Sequence, residues 1–157
     1  MQPAAPGRPQ PTMGVGREMA ARDQPVPPGL DIPAATWRGL LAARANLMLV
    51  GEPAATAAVL RALEPHLATP VSQCSAETGL SRPQRPAGTV VVEELAALDL
   101  DQQRRLLRWL NEADERVQIV SMTSQPLYAF VEQGTFLAEL YYRLNTVRID
   151  LKGERML

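Results

Sequence analysis

The sequence predicts an α/β domain built on a doubly wound parallel sheet, and three observations carry this prediction. Short apolar runs alternate with helical patterns along the chain, which is the element order of parallel sheets. The runs at residues 47–50 and 89–92 lack polar alternation, as expected of strands covered on both faces. The chain has 157 residues, which suits one domain of ordinary size.

The first half of the chain predicts two helices and two strands. Thr36 is predicted to cap a helix over residues 37–45, because Trp37, Leu40 and Leu41 fall at helical spacing. The later elements are a strand at 47–50 that ends at Gly51, an Ala-rich helix at 54–63 that Pro65 stops, a strand at 71–75 and a loop at 79–88.

The second half opens with the clearest strand, the β-branched run at 89–92, which ends at Glu93 and Glu94. Asp99, with Gln102 three residues later, resembles a capping box that begins a helix reaching about residue 111. The helix is predicted to bury one stripe and expose three arginines: Leu100, Gln103, Leu107 and Leu110 inside, Arg104, Arg105 and Arg108 outside. The remaining elements are a strand at 117–122, helices at 128–132 and 136–144, and a strand at 147–151.

Residues 1–33 are predicted to form a disordered, Pro-rich head. They hold eight of the 14 prolines and few large apolar side chains, too few to offset the entropy of ordering the segment. A Pro-rich ligand for a partner's groove is the alternative interpretation. The folded domain is therefore predicted over residues 34–157.

Composition excludes several classes of function. A net charge of -1 and a pI near 5.9 do not indicate a nucleic-acid partner. A single cysteine, Cys74, and a single histidine, His66, exclude an intrachain disulfide and Cys-rich zinc sites, so no metal site is predicted. No apolar run is long enough to span a membrane, and a cytoplasmic location is the expectation.

Five segments carry a family resemblance, in one order between Asn46 and Leu151. They read GEPAATAA at 51–58, GTVVVEEL at 88–95, LLRWL at 106–110, VEQGTF at 131–136 and ELYYRLN at 139–145. Together they resemble the AAA+ domain of bacterial enhancer-binding activators, the sigma-54 interaction domain. The resemblance implies a P-loop NTPase-like AAA+ core and a role in the regulation of transcription.

The segment that resembles the phosphate loop lacks the residues with which the family binds phosphate. The family has glycines where this chain has Ala54 and Thr56, and a lysine where it has Ala57. Phosphates need free backbone N–H groups and that lysine, and the only lysine of the chain is Lys152. Pro53 also removes an N–H donor. The vestigial phosphate-loop residues are Gly51, Glu52, Thr56, Ala57 and Ala58.

The resemblance also assigns vestigial catalytic positions. Glu94 matches the family's water-polarising glutamate, whereas Glu93 replaces its aspartate. Ser124 replaces an asparagine that senses the γ-phosphate. Of two arginines that the family projects toward a neighbouring subunit, Arg143 matches the second and Leu137 replaces the first.

Two interpretations stay open for the surviving charges. Glu93 and Glu94 are either solvated acids or a residual magnesium site. Arg143 either packs and pairs with Glu139 one turn earlier or contacts a partner subunit. The other reactive side chains are predicted to be structural, with His66 exposed in a turn, Cys74 inert, Tyr141 in the core and Tyr142 at an interface.

Three family features are missing from the sequence. Fourteen residues separate Gln73 from Gly88, where the family carries a long insertion with the loop that contacts the sigma factor. No helical lid domain follows Leu151, and no helix-turn-helix is present, so direct DNA binding is not expected.

These observations predict a degenerate AAA+ domain that does not hydrolyse ATP and acts by protein contact, as an adaptor or antagonist in sigma-54-linked transcription. The predicted partners are sigma-54 activators or other AAA+ subunits, which would bind through the helix that carries Arg143. No cofactor is predicted beyond, at most, weakly bound ATP with magnesium. The alternative is a weak ATPase that uses Glu93 and Glu94. A decaying fragment without function is a third interpretation.

Overall fold

The computed structural model describes residues 26–27, 30–79, 88–112 and 117–151, and its centre is a sheet of five parallel strands. The strands are β1 (Leu47–Val50), β2 (Val71–Cys74), β3 (Gly88–Val92), β4 (Val117–Thr123) and β5 (Val147–Asp150). Their order across the sheet is β2-β3-β4-β1-β5. The predicted parallel α/β fold is confirmed; most of the loop predicted at 79–88 lies outside the described residues.

Within the described residues, five α-helices lie on the two faces of this sheet. They are α1 (Ala34–Ala43), α2 (Pro53–Leu63), α3 (Leu100–Glu112), α4 (Tyr128–Glu132) and α5 (Ala138–Leu144), with short 3-10 turns at Glu64–His66 and Leu95–Ala97. Successive β1 residues point to opposite faces. Met48 belongs to the core cluster that includes α3 and α5 residues, and Leu49 to the cluster that includes α1 and α2 residues. The sheet is therefore covered on both faces.

Helix α1 begins earlier than the sequence predicts. Pro33 has an extended backbone and its carbonyl accepts the N–H of Trp37 at 3.0 Å, so the first helical turn starts at Ala34. Thr36 is not the cap, because it lies inside this turn and is exposed. The helix ends where Arg44 turns into the left-handed region at φ 51°, and not at residue 45.

The capping box of α3 is confirmed in both directions. The N–H of Gln102 donates to Oδ1 of Asp99 at 2.8 Å, and the N–H of Asp99 donates to Oε1 of Gln102 at 3.0 Å. The buried stripe is only partly as predicted. Its buried members are Gln103, Leu106, Trp109 and Leu110, whereas Leu100 and Leu107 are half-buried.

The boundary of the head also differs from the prediction. Val26, Leu30 and Ile32 pack against the core cluster under α1 and α2, and Pro27 is buried. These side chains fix residues 26–27 and 30–33 to the domain, so a head ending at residue 33 is too long. Residues 1–25 lie outside the described residues.

Candidate functional site

The candidate site lies at the carboxyl edge of the sheet, between β1 and β4. These neighbouring strands pair in register from Leu47 with Val120 to Val50 with Thr123. The chain leaves β1 toward β2 on one side and leaves β4 toward β5 on the other, which makes this a topological switch point. In open α/β sheets, ligands bind at such a crevice.

The turn after β1 is short and closely packed. The N–H of Gly51 donates to the carbonyl of Thr123 at 3.0 Å. A Cβ on Gly51 would lie 2.8 Å from Cβ of Leu151, closer than real side chains approach, so glycine is required here. Helix α2 then starts at Pro53, with Glu52 as its N-cap.

This turn does not form a cradle for phosphate. Thr56, in a position where the family has a loop glycine, already donates its backbone N–H to the carbonyl of Glu52 at 3.0 Å. Its side-chain hydroxyl donates to the carbonyl of Pro53 at 3.1 Å, and the residue is only 4% exposed. Pro53 has no N–H to offer, and Ala57 has no charge. The groups present therefore do not match those that hold a nucleotide phosphate.

The structure brings Glu94 and Ser124 together at this edge. Glu94 has left-handed backbone angles, with φ 43° and ψ 75°, which are uncommon for a residue with a side chain. Its Oε1 accepts the backbone N–H of Ser124 at 3.1 Å. This carboxylate therefore links the end of β3 to the end of β4.

Glu93 faces a different neighbour. Its N–H donates to the carbonyl of Cys74 at 2.9 Å, and its side chain is exposed. Burial, and secondarily the charge of Glu93, raises the pKa of the Cys74 thiol from its ordinary 9.0 to about 11. A thiol with this pKa stays protonated at neutral pH, so it is a poor nucleophile.

His66 differs from its predicted exposed position. It ends the 3-10 turn after α2 and is half-buried, and its Nε2 is buried without a hydrogen-bond partner. Within the described ranges, no three His, Cys, Asp or Glu side chains lie close enough together to hold a metal ion.

Arg143 contacts α3 and makes no hydrogen bond to Glu94 or Ser124 among the described residues. It is in the last turn of α5, and its Nη2 donates to the carbonyl of Leu110 at 2.9 Å. Leu110 is ten residues beyond the start of α3, about 15 Å along the helix axis. The guanidinium thus satisfies a carbonyl in the last turn of α3, where a positive charge also stabilises the helix dipole. Among the contacts of the described residues it has no ion pair with Glu139.

Gln103 has a larger role than its predicted place in an apolar stripe. It is 1% exposed, and its Nε2 donates to the carbonyls of Leu98 and Thr135, each at 3.0 Å. Its Oε1 accepts the N–H of Leu137, the N-cap of α5, at 2.8 Å. The amide therefore joins the β3–α3 connection to the start of α5. A glutamine in an otherwise apolar stripe was the sequence signal for this contact.

A cavity of about 370 Å³ lies beside Gln103, between the start of α3 and the α4–α5 connection. Leu98, Phe130 and Phe136 provide much of its apolar lining. None of the predicted nucleotide or catalytic residues lines this cavity.

The sequence profile of the Sigma-54 interaction domain matches residues 40–153. The chain belongs to the sigma-54 interaction domain family. It is 37% identical over 79 residues to the probable regulatory protein WtsA of Pantoea stewartii, covering 43% of this chain and 24% of that protein. It is 34% identical over 79 residues to the transcriptional regulator NtrC of Rhizobium meliloti, covering 43% of this chain and 16% of NtrC. The alignments thus span about a quarter or less of these relatives.

Solved structures share the fold of this sigma-54 interaction domain. NtrX from Brucella abortus, crystallised with ADP, superposes with a TM-score of 0.60 at 20% identity, over 87% of this chain and 41% of that one. The P-loop NTPase domain of an Escherichia coli sigma-54 activator superposes with a TM-score of 0.54 at 18% identity, over 71% of this chain and 91% of the other. The P-loop NTPase-like architecture implied by the resemblance is therefore present. Among the described residues, every helix is too short or too polar to serve as a transmembrane span.

Proposed function

We propose that this domain regulates sigma-54-dependent transcription by protein contact, as an adaptor or antagonist that does not hydrolyse ATP. Its partners would be the AAA+ subunits of sigma-54 activators, engaged through helix α5. The observation that carries this proposal is the start of α2 at Pro53, because it puts the positions of the phosphate loop into a regular helix.

Three features of the β1–α2 turn support the absence of tight nucleotide binding. The N–H of Thr56 is used within the helix, Pro53 lacks an N–H, and the short side chain of Ala57 cannot reach a phosphate. Positioning and charge stabilisation provide most of the catalysis of phosphoryl transfer. A domain without them would lose several orders of magnitude in rate.

The fixed position of helix α5 supports a role in binding a partner protein. Both ends of this helix are fixed to α3, by Gln103 at Leu137 and by Arg143 at Leu110. A helix held in this way has little conformational entropy to lose when it binds a partner.

One observation favours the alternative function, a weak ATPase. Glu93 and Glu94 follow β3 at the same edge as the β1–α2 turn, and Glu94 contacts Ser124. These groups would be the ones available to magnesium. The Glu94 carboxylate would have to release the N–H of Ser124 to act there.

The test is interference with a purified, full-length sigma-54 activator. We expect excess domain to lower the ATPase rate of the activator, because a subunit without a working nucleotide site interrupts cooperation within an oligomer. Tyr142→Glu and Arg143→Ala should relieve the inhibition. Arg105→Ala is the matched control, since Arg105 is exposed on α3, and circular dichroism should verify that Arg143→Ala is folded.

An unchanged ATPase rate at many-fold excess, with no mixed assembly by size-exclusion chromatography and light scattering, would show that the proposal is wrong. ATP hydrolysis by the isolated domain that disappears in Glu94→Gln would instead support the weak ATPase.

A further inference from the structure

Two tyrosines form an exposed aromatic surface on α4 and α5. Tyr142 is 66% and Tyr128 50% exposed, although side chains of this size are usually more covered. Both rings contact the buried ring of Tyr141, with centroids 5.3 Å and 6.2 Å away. We call Tyr128, Tyr141 and Tyr142 the aromatic platform.

The centre of the platform is held in place by a polar contact. The hydroxyl of Tyr141 accepts a hydrogen bond from Nδ2 of Asn145 at 3.3 Å. Because Tyr141 is only 6% exposed, it fixes the outer two rings from beneath.

The free charges next to the exposed rings are acidic. Glu132 lies four residues after Tyr128 on α4, and Glu139 lies three residues before Tyr142 on α5. At these spacings each carboxylate shares a helix face with its tyrosine. Neither carboxylate has an ion-pair partner within the described part of the chain.

The two neighbouring arginines are already engaged. Arg148 donates from Nε to Oδ1 of Asp150 at 2.8 Å, and Arg143 donates to the carbonyl of Leu110. The aromatic platform thus presents two exposed tyrosine rings beside two carboxylates that have no ion pair with the described residues.

We propose that the aromatic platform binds a partner protein through an arginine-bearing segment. An arginine can stack its guanidinium on a tyrosine ring while it pairs with the adjacent carboxylate. Tyrosine is also enriched among the residues that dominate interface energies. This inference rests on the proposed function and adds the residues and the chemistry of the partner surface.

The first test uses the full chain, labelled with ¹⁵N, and a synthetic probe, the peptide acetyl-Gly-Arg-Gly-Arg-Gly-amide. We expect amide shifts to cluster in residues 128–132 and 138–144, and to shrink as salt rises. The same peptide with glutamate in place of arginine should cause no such shifts. Equal shifts with the two peptides, shifts on another surface, or none at millimolar peptide would overturn the inference.

The second test measures the affinity of variants for a purified sigma-54 activator AAA+ domain. Tyr142→Ala should weaken binding roughly tenfold, which corresponds to ~1.4 kcal/mol and is expected of an interface tyrosine, and Glu139→Gln should weaken it less. The controls are Val71→Ala, an exposed apolar residue on edge strand β2, and Glu64→Gln, an exposed acid after α2. Neither should change the affinity.

The two tests separate the inference from the function on which it rests. If the arginine peptide binds the platform but the activator domain does not bind, the inference stands and the proposed function fails. If the activator domain binds the wild type, Tyr142→Ala and Glu139→Gln equally, the function stands and the inference fails.

Discussion

Glu94 accepts the backbone N–H of Ser124 across the carboxyl edge of the sheet, at 3.1 Å. The family uses the first of these positions to polarise water and the second to sense a phosphate. Here the two residues form a contact between the ends of β3 and β4. Since Glu94 has an uncommon left-handed backbone, the contact also compensates part of a local strain.

Removing the Glu94 carboxylate should destabilise the domain. We expect Glu94→Ala to lower the free energy of unfolding by about 1 kcal/mol, because the N–H of Ser124 loses its acceptor. Glu94→Gln keeps an acceptor oxygen and should cost less. Urea denaturation measures the free energy of unfolding of the wild type and both variants. If Glu94→Ala were as stable as the wild type, the hydrogen bond would contribute nothing to stability.

Nucleotide binding should be weak and should respond to redesign of the β1–α2 turn. We expect wild-type affinity for ATP with magnesium to be no better than millimolar in calorimetry. The substitutions Ala54→Gly, Thr56→Gly and Ala57→Lys restore the family residues, but Pro53 begins the helix. Adding Pro53→Ser should therefore increase affinity beyond the triple variant.

Two results would contradict this account of the turn. Micromolar affinity of the wild type would show that the helix start does not prevent binding. No gain in the quadruple variant, if it remains folded, would show that features beyond these four residues keep nucleotide out.

Most of the sheet could be predicted from the sequence, because strands buried on both faces leave short, unbroken apolar runs. The strand over Leu47–Val50 and helix over Tyr128–Glu132 have the predicted bounds. The start of α1 could not be predicted from Thr36, because a cap residue depends on where the preceding chain packs. Val26, Leu30 and Ile32 hold that preceding chain against the core. The Pro-rich composition of the segment gave no indication of these contacts.

The candidate site was predictable in its residue types but not in its contacts. The sequence places Glu94 and Ser124 after neighbouring strands, yet it does not show that one hydrogen-bonds to the other. Gln103 was predicted to be buried, but two of its three partners, Thr135 and Leu137, lie more than 30 residues away along the chain. Such tertiary hydrogen bonds depend on the packing of several elements and leave no local pattern.

Truncation of the N-terminal segment should separate its two parts. A chain beginning at residue 26 should keep the stability of the whole chain within about 1 kcal/mol. A chain beginning at residue 34 should lose roughly 2 kcal/mol more, because it loses the packing of Val26, Leu30 and Ile32 and the carbonyl that accepts the N–H of Trp37. Thermal unfolding of the two chains checks this, and Ile32→Ser in the whole chain should give a smaller loss. Equal melting temperatures of the two truncated chains would show that residues 26–33 do not contribute to stability.

Stability should fall at alkaline pH through Cys74. Its folded-state pKa of about 11 lies above the ordinary value of 9.0, so folding favours the protonated thiol. The stabilisation is complete below pH 9.0 and is lost as the pH rises toward 11. Relative to Cys74→Ala, the wild type should therefore lose stability across this interval in urea titrations. Parallel curves for the two proteins would show that ionisation of the thiol is not coupled to unfolding.

Gly88 and Gly79 provide a matched test of close packing, because both have a positive φ, 94° and 85°. A Cβ on Gly88 would clash with the carbonyl oxygen of Pro70, whereas a Cβ on Gly79 would have no neighbour within 4 Å among the described residues. Both alanine variants incur the backbone cost of a left-handed residue, about 1 kcal/mol.

Gly88→Ala must also displace the chain at Pro70, whose carbonyl accepts the N–H of Thr89 at 3.0 Å. This displacement disturbs the pairing of β2 with β3. We expect Gly88→Ala to lower the free energy of unfolding by at least ~3 kcal/mol, a loss of the size that overpacking and backbone strain can cause. Chemical denaturation measures both variants, and a similar loss at the two positions would show that backbone conformation alone, and not the approach of Pro70, requires glycine at residue 88.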